Sequence, residues 1–84
     1  MAKLEGKVAL ITGAAVGLGE GIAEVYAKYG AKMCMVDLSP EVEKTADRLR
    51  KEYGADIITY VGNVADKAQM KEAAAKTAEK FGEI

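Results

Sequence analysis

Short runs of adjacent apolar residues alternate along the chain with longer stretches in which apolar residues recur every three or four positions. The runs cover residues 7–12, 32–37 and 57–61. Adjacent apolar residues over such a length are typical of strands that are buried on both faces of a sheet. The pattern therefore predicts three β-strands, each followed by a helix.

Each predicted helix has its apolar residues on one face, which is the face that packs on a core. The first face holds Leu18, Ile22, Val25, Tyr26 and Tyr29, the second holds Val42, Ala46, Leu49 and Tyr53, and the third holds Met70, Ala73, Ala74, Thr77, Ala78 and Phe81. Residues that favour helix ends also flank these three helical stretches. Ser39 and Pro40 suit the start of the second helix, and Asp66 with Gln69 resembles a capping box at the third. The expected C-terminal glycines are Gly30, Gly54 and Gly82.

The predicted element order is βαβαβα with short connections. This order usually gives parallel strands joined by right-handed crossovers. The predicted fold class is therefore α/β, the N-terminal half of a Rossmann-type doubly wound parallel sheet with strand order 3-2-1. Glu83 and Ile84 follow the last helix and are expected to lead toward a fourth strand.

A glycine-rich segment, ITGAAVGLGEGIA at residues 11–23, joins the first strand to the first helix. A strand that turns directly into a helix faces the unpaired N–H groups of that helix, which form an anion site. Gly13 would permit a tight exit from the strand, while Gly17 and Gly19 would permit close approach of a pyrophosphate and of the packed strand. Gly21 is expected to allow close packing of the helix on the sheet. The predicted cofactor contacts also include Ala15, Val16 and Leu18. The alternative is an ordinary flexible turn.

Asp37 ends the second strand, 18 residues after Gly19, where a doubly wound sheet holds the ribose of a bound adenosine. A carboxylate there accepts hydrogen bonds from both ribose hydroxyls and repels a 2′-phosphate. Neither the glycine loop nor the residues just after Asp37 contain a Lys or Arg that would neutralise this phosphate. The predicted cofactor is therefore NAD in preference to NADP, with Leu38 also in contact. The alternative is that Asp37 is a strand-end turn residue.

The segment GNVAD follows the third strand and places Asn63 and Val64 where the adenine would lie. The Asn63 amide oxygen can accept a hydrogen bond from the adenine amino group, and Val64 can pack on the ring. Alternatively, Asn63 is a loop residue and Val64 fills the core.

Composition excludes several classes of function. The 84 residues provide one small domain, and the net charge of −1, with both signs scattered, gives no basis for binding nucleic acid or an anionic membrane. Without histidine, a zinc site is not expected. The one cysteine, Cys34, is interpreted as a buried small hydrophobe in a cytoplasmic protein. No segment is long enough to span a bilayer.

The segment LEGKVALITG at residues 4–13 and the pattern T-G-x-x-x-G-x-G, present as Thr12, Gly13, Gly17 and Gly19, resemble the short-chain dehydrogenase/reductase family. The segments GEGIA and DLSPEVEKTADRL are similar to the UcpA-like oxidoreductases within it. The family commonly has Asp-Val after the third strand, whereas this chain has Asn63-Val64. The resemblance implies an oxidoreductase that transfers a hydride between a nicotinamide cofactor and an alcohol or carbonyl substrate.

In that family a Y-x-x-x-K pair supplies the acid/base tyrosine. Tyr26, Tyr29, Tyr53 and Tyr60 are not followed by a lysine at the fourth position, so no catalytic residue is assigned in this chain. Residues 1–84 are therefore expected to be the N-terminal NAD-binding part of a longer enzyme, which would form a homo-oligomer. The alternatives are a stand-alone nucleotide-binding or scaffold domain without catalysis, or a structural remnant that binds nothing.

Overall fold

The computed structural model describes residues 4–82 and contains three strands that alternate with three helices. In chain order they are β1 (Val8–Thr12), α1 (Gly17–Lys28), β2 (Lys32–Asp37), α2 (Glu41–Tyr53), β3 (Ile57–Val61) and α3 (Lys67–Phe81). The predicted strands are confirmed, with β1 beginning one residue later than expected. The predicted approach to a fourth strand at residues 83–84 lies outside the described part of the chain.

The three strands form one parallel sheet in the order β1-β2-β3, which is 3-2-1 when read from the other edge. Leu10 pairs with Cys34, and Cys34 pairs with Ile58 on the opposite side. Alternate β2 residues serve different faces, because successive side chains of a strand point in opposite directions. Met33 and Met35 pack with α1 and α2 on one face, and Cys34 and Val36 pack with α3 on the other. The doubly wound arrangement is therefore confirmed.

The larger of the two cores lies between the sheet and α1 with α2. The fully buried side chains Val42, Ala46 and Leu49 confirm the predicted inner face of α2. On the other side of the sheet, Cys34 lies buried against α3, and burial raises the pKa of its thiol. The prediction that Cys34 acts as a small hydrophobe is confirmed.

The predicted core-facing side of α1 is only partly correct, because Tyr26 packs against the core but three other members of that face do not. Leu18 is 83% exposed, Val25 is 50% exposed, and Ile22 also faces outward. The buried side of α1 consists instead of Ala23 and Ala27. Small alanines let the helix lie close to the sheet, so the larger apolar side chains remain on the outer surface.

The helix ends largely follow the predicted signals. Ser39 accepts a hydrogen bond at Oγ from the Glu41 N–H at 3.1 Å, although α2 begins at Glu41 rather than at Pro40. Asp66 accepts a hydrogen bond from the Gln69 N–H at 3.1 Å, which confirms the cap of α3. The three glycines beyond the helices have positive φ, as C-terminal caps require, and they are Gly30, Gly54 and Gly82.

No helix within residues 4–82 is both long enough and apolar enough to cross a membrane. In the same part of the chain, no three metal-ligating side chains come together as a metal site needs.

Candidate cofactor-binding site

The carboxyl ends of the three strands are tied together at one edge of the sheet. The Ala14 N–H donates to the Val36 carbonyl at 3.1 Å, and the Gly62 N–H donates to the Asp37 carbonyl at 2.9 Å. Between these segments lies a cleft of about 130 Å³, lined by Gly13, Asp37, Leu38, Gly62 and Val64. Open α/β sheets bind ligands at this end of their strands, so the cleft is the candidate site.

The glycines of the loop between β1 and α1 have separate structural roles. Gly13 and Gly17 have φ angles of 62° and 67°, which L side chains rarely adopt, and no atom lies within 4 Å of a Cβ placed at either one. A Cβ on Gly19 would overlap the backbone carbonyl of Gly13. Gly19 is therefore required where α1 approaches the end of β1. The predicted close packing of Gly21 is wrong, because a Cβ there would meet open space.

Helix α1 begins without a side-chain cap, in contrast to α3. Its N-cap residue is Val16, which has no side-chain oxygen to accept from the first-turn N–H groups. Val16 and Leu18 are both exposed at this end. The uncapped amides and the open space at Gly13 and Gly17 fit a bound pyrophosphate, which would accept their hydrogen bonds.

Asp37 lies at the end of β2, and both of its carboxylate oxygens accept backbone hydrogen bonds. Oδ1 accepts from the Ser39 N–H at 2.9 Å, and Oδ2 accepts from the Ala15 N–H at 3.0 Å. The N–H groups of Ser39 and then Ala15 lower the pKa of Asp37, since they stabilise its ionised form. Each oxygen keeps a second lone pair, so a ribose hydroxyl could still donate to it.

Ala15 is buried, and both of its backbone polar groups are bonded to the segment from β2 through α2. Its N–H donates to Asp37, as above, and its carbonyl accepts from the Thr45 hydroxyl at 2.7 Å. The sequence analysis missed Thr45. A threonine within a helix carries no distinctive pattern, so only the packing of α2 against the loop identifies it.

Asn63 does not line the cleft, whereas Val64 and Leu38 do. Oδ1 of Asn63 accepts from the Ala65 N–H at 2.9 Å, and the Asn63 N–H donates to Gln69. This geometry matches the interpretation of Asn63 as a loop residue, and its contact with adenine stays a prediction. Val64 is exposed at the cleft, so it does not fill the core.

Gly62 was also missed, although it lines the cleft. A Cβ at this position would overlap the Tyr60 ring and lie 2.7 Å from Gln69 Oε1. A single glycine after a strand gave no signal, because the close contacts at this position come from side chains on β3 and α3.

Two of the tyrosines donate hydrogen bonds to carboxylates. Tyr53 donates to Glu24 at 2.7 Å, and this bond raises the pKa of Tyr53 to about 12. Tyr60 donates to Glu72 at 2.5 Å, which also raises its pKa. A tyrosine that acts as a base near neutral pH needs its pKa shifted the other way.

Residues 7–84 match the family described as short chain dehydrogenase. Oxidoreductase UcpA of Escherichia coli strain K12 is 46% identical to this chain over 84 residues, which are 100% of this chain and 32% of UcpA. The chain thus spans only a minor part of the length of this relative.

Two solved structures share the fold. Carveol dehydrogenase from Mycobacterium avium, in complex with NAD, has a TM-score of 0.89 at 30% identity over 98% of this chain and 34% of its own. L-Sorbose reductase from Gluconobacter frateurii, complexed with NADPH and L-sorbose, has a TM-score of 0.91 at 29% identity over 96% of this chain and 31% of its own. The family match covers β1, the glycine loop, Asp37 and the cleft, and this chain therefore belongs to the short-chain dehydrogenase family.

Proposed function

We propose that this chain binds the adenosine and pyrophosphate part of NAD. The pyrophosphate would lie at the uncapped start of α1, over Gly13 and Gly17. The ribose would lie in the cleft beside Asp37, and Leu38 and Val64 would contact the adenosine. Gly19 supports this site indirectly, because it lets α1 approach the end of β1.

The position of Asp37 is the observation that carries this proposal. Its carboxylate lines the cleft at the end of β2, and backbone N–H groups stabilise its ionised form. An ionised carboxylate accepts hydrogen bonds from the two ribose hydroxyls and repels a 2′-phosphate. Among the described residues that line the cleft, Asp37 is the only charged one. We therefore propose NAD in preference to NADP. This preference rests on Asp37 alone, because one of the solved neighbours is complexed with NAD and the other with NADPH.

The proposal also covers the longer protein to which residues 1–84 would belong, by analogy with the longer relatives. Residues 1–84 would be the NAD-binding part of an oxidoreductase that transfers a hydride between the nicotinamide and an alcohol or carbonyl substrate. The three relatives named above are by name an oxidoreductase, a dehydrogenase and a reductase, which supports this class. A homo-oligomer, a cytoplasmic location and the lack of a nucleic-acid partner belong to the same proposal.

A stand-alone nucleotide-binding module is the second candidate. The raised pKa values of Tyr53 and Tyr60 are compatible with such a module, and equally with an enzyme whose acid/base tyrosine lies on another segment. The reading frame separates the two candidates. An encoded Y-x-x-x-K pair beyond Ile84 would support the enzyme, and a stop codon after Ile84 would support the module.

Calorimetric titration with NAD and NADP tests the cofactor proposal. The unmodified protein is expected to bind NAD more tightly than NADP. Asp37→Ala should weaken NAD binding by about 1–3 kcal/mol, the scale for losing charge-assisted hydrogen bonds. It should also narrow the difference between the two cofactors, because the repulsion of the 2′-phosphate disappears.

The ratio of the two affinities is the diagnostic quantity, since Asp37 also holds Ala15 and Ser39 and its loss disturbs the loop. Asp47→Ala provides the matched control, because it removes one carboxylate from the exposed side of α2. That control should leave the ratio unchanged. Equal affinity of the unmodified protein for NAD and NADP would contradict the assignment of Asp37.

A further inference from the structure

The loop between β1 and α1 is anchored at one residue by two side chains from outside it. Ala15 donates its N–H to Asp37 Oδ2 at 3.0 Å and accepts at its carbonyl from Thr45 Oγ1 at 2.7 Å. Asp37 ends β2, whereas Thr45 lies on α2. The conformation of the loop thus depends on the segment that follows it in the chain.

Apart from the Ala14 N–H bond to the Val36 carbonyl and the burial of Ala14 and Ala15, the loop between the two glycines has few other restraints. Gly13 and Gly17 flank Ala15 with positive φ angles, and glycine loses more conformational freedom on ordering than any other residue. The side chains between these glycines are small, and Val16 points into solvent. Hydrogen bonds to the backbone are therefore the main restraint on the direction of the loop amides.

Thr45 directs its single hydroxyl proton to this loop. Its oxygen lies 2.7 Å from the Ala15 carbonyl but 3.4 Å from the carbonyl of Glu41, one turn earlier in α2. Thr77 shows the usual alternative for a buried helical threonine, since its hydroxyl donates to Ala73 of its own helix at 2.7 Å. Both residues are buried, but the Thr77 hydroxyl donates within its own helix, whereas the Thr45 hydroxyl donates across to the loop.

We propose that Thr45 is a positioning residue for the dinucleotide, which fixes the loop amides in the orientation that receives the pyrophosphate. This inference rests on the proposed binding of NAD. Thr45 does not touch the cleft, and it acts through the Ala15 carbonyl. Without its hydroxyl, the buried carbonyl would lose its partner, and the loop would reorient to reach water.

Three variants test the proposal by calorimetry with NAD and by amide hydrogen exchange. Thr45→Val keeps the shape and removes the hydroxyl, and it should weaken NAD binding by about tenfold, the scale of one buried hydrogen bond. It should also speed exchange of the Ala15 N–H by about tenfold. Thr45→Ser retains the hydroxyl, so its NAD affinity and its Ala15 exchange rate should lie within about twofold of those of the unmodified protein. Thr77→Val, the matched control, should change neither by more than about twofold.

The outcomes separate this inference from the function on which it rests. If the unmodified protein binds NAD and Thr45→Val affects NAD affinity and Ala15 exchange no more than Thr77→Val does, the positioning role is overturned. If the unmodified protein binds neither NAD nor NADP, the proposed function fails and the inference fails with it. Should Thr45→Val not fold, the unmodified protein still tests the anchoring of the loop on which the proposal depends. An Ala15 N–H that exchanges as fast as the exposed Val16 N–H would overturn the anchoring of the loop.

Discussion

Gly19 and Gly21 lie on the same helix, two positions apart, and meet opposite surroundings. A Cβ on Gly19 would overlap the Gly13 backbone, while a Cβ on Gly21 would meet no atom within 4 Å. The sequence shows both as glycines of one cluster, and it does not reveal which of them is constrained. Only the approach of α1 to the end of β1 makes Gly19 necessary.

The two glycines therefore predict opposite effects of one substitution. Gly19→Ala should destabilise the protein by about 1–3 kcal/mol, since the added methyl group forces the loop and helix apart. Gly21→Ala should stabilise it by about 0.5–1 kcal/mol, because alanine is the better helix former in open space. Urea unfolding of both variants measures these changes. A Gly19→Ala protein as stable as Gly21→Ala would contradict the described contact.

At the scale of elements, the limits of the strands and helices could be predicted from sequence, but the orientation of α1 could not. Periodicity identifies which helix face is apolar, and Leu18, Ile22 and Val25 form such a face. Periodicity does not show what covers that face. In the structure α1 packs closely on the sheet through the smaller Ala23 and Ala27. For α2 the apolar and buried faces coincide, so the prediction was correct there.

The start of α1 combines a missing cap with a candidate anion site. Val16 has the extended backbone, with φ −145° and ψ 164°, that N-cap residues adopt. Val16→Asn should therefore stabilise the protein by about 0.5–2 kcal/mol, because the amide oxygen would accept from a first-turn N–H. The same bond would compete with a pyrophosphate, so NAD affinity should fall.

Val16→Asp extends this comparison by adding charge. It should cap α1 about as well as Val16→Asn, but it should weaken NAD binding further, since a carboxylate repels the phosphates. Thermal unfolding and calorimetric titration of both variants provide the two measurements. Tighter NAD binding by Val16→Asp than by Val16→Asn would argue against a pyrophosphate at this helix end.

For the whole molecule, the described sheet leaves β1 with a partner on one side only. Beside it, α1 presents an apolar groove of about 430 Å³, lined by Gly17, Leu18, Gly21, Ile22, Val25 and Tyr26. An unpaired strand edge and an exposed apolar patch both favour association. The apolar run VALI predicted a strand buried on both faces of the sheet, whereas the described β1 is only partly buried.

The 84-residue chain on its own is therefore expected to self-associate. Analytical ultracentrifugation should show mass that increases with concentration, and Leu18→Lys combined with Val25→Lys should reduce it. Val61→Lys is the matched control, because Val61 is an exposed valine on β3 at the other edge of the sheet. A chain that stays monomeric over the whole concentration range, or a control that disperses it equally well, would contradict association through the β1 side.

Asp37 combines a structural role in the loop with its proposed role in cofactor choice, and this combination has an evolutionary consequence. The carboxylate that would select NAD also holds Ala15 and Ser39, so cofactor choice and loop architecture depend on one position. A lineage that exchanged this aspartate for a neutral residue to admit a 2′-phosphate would loosen its loop at the same step. Compensating changes would then be needed near Ser39 or Thr45. Historical shifts of cofactor use on this scaffold should consequently appear as correlated replacements across the β2–α2 segment rather than as isolated ones.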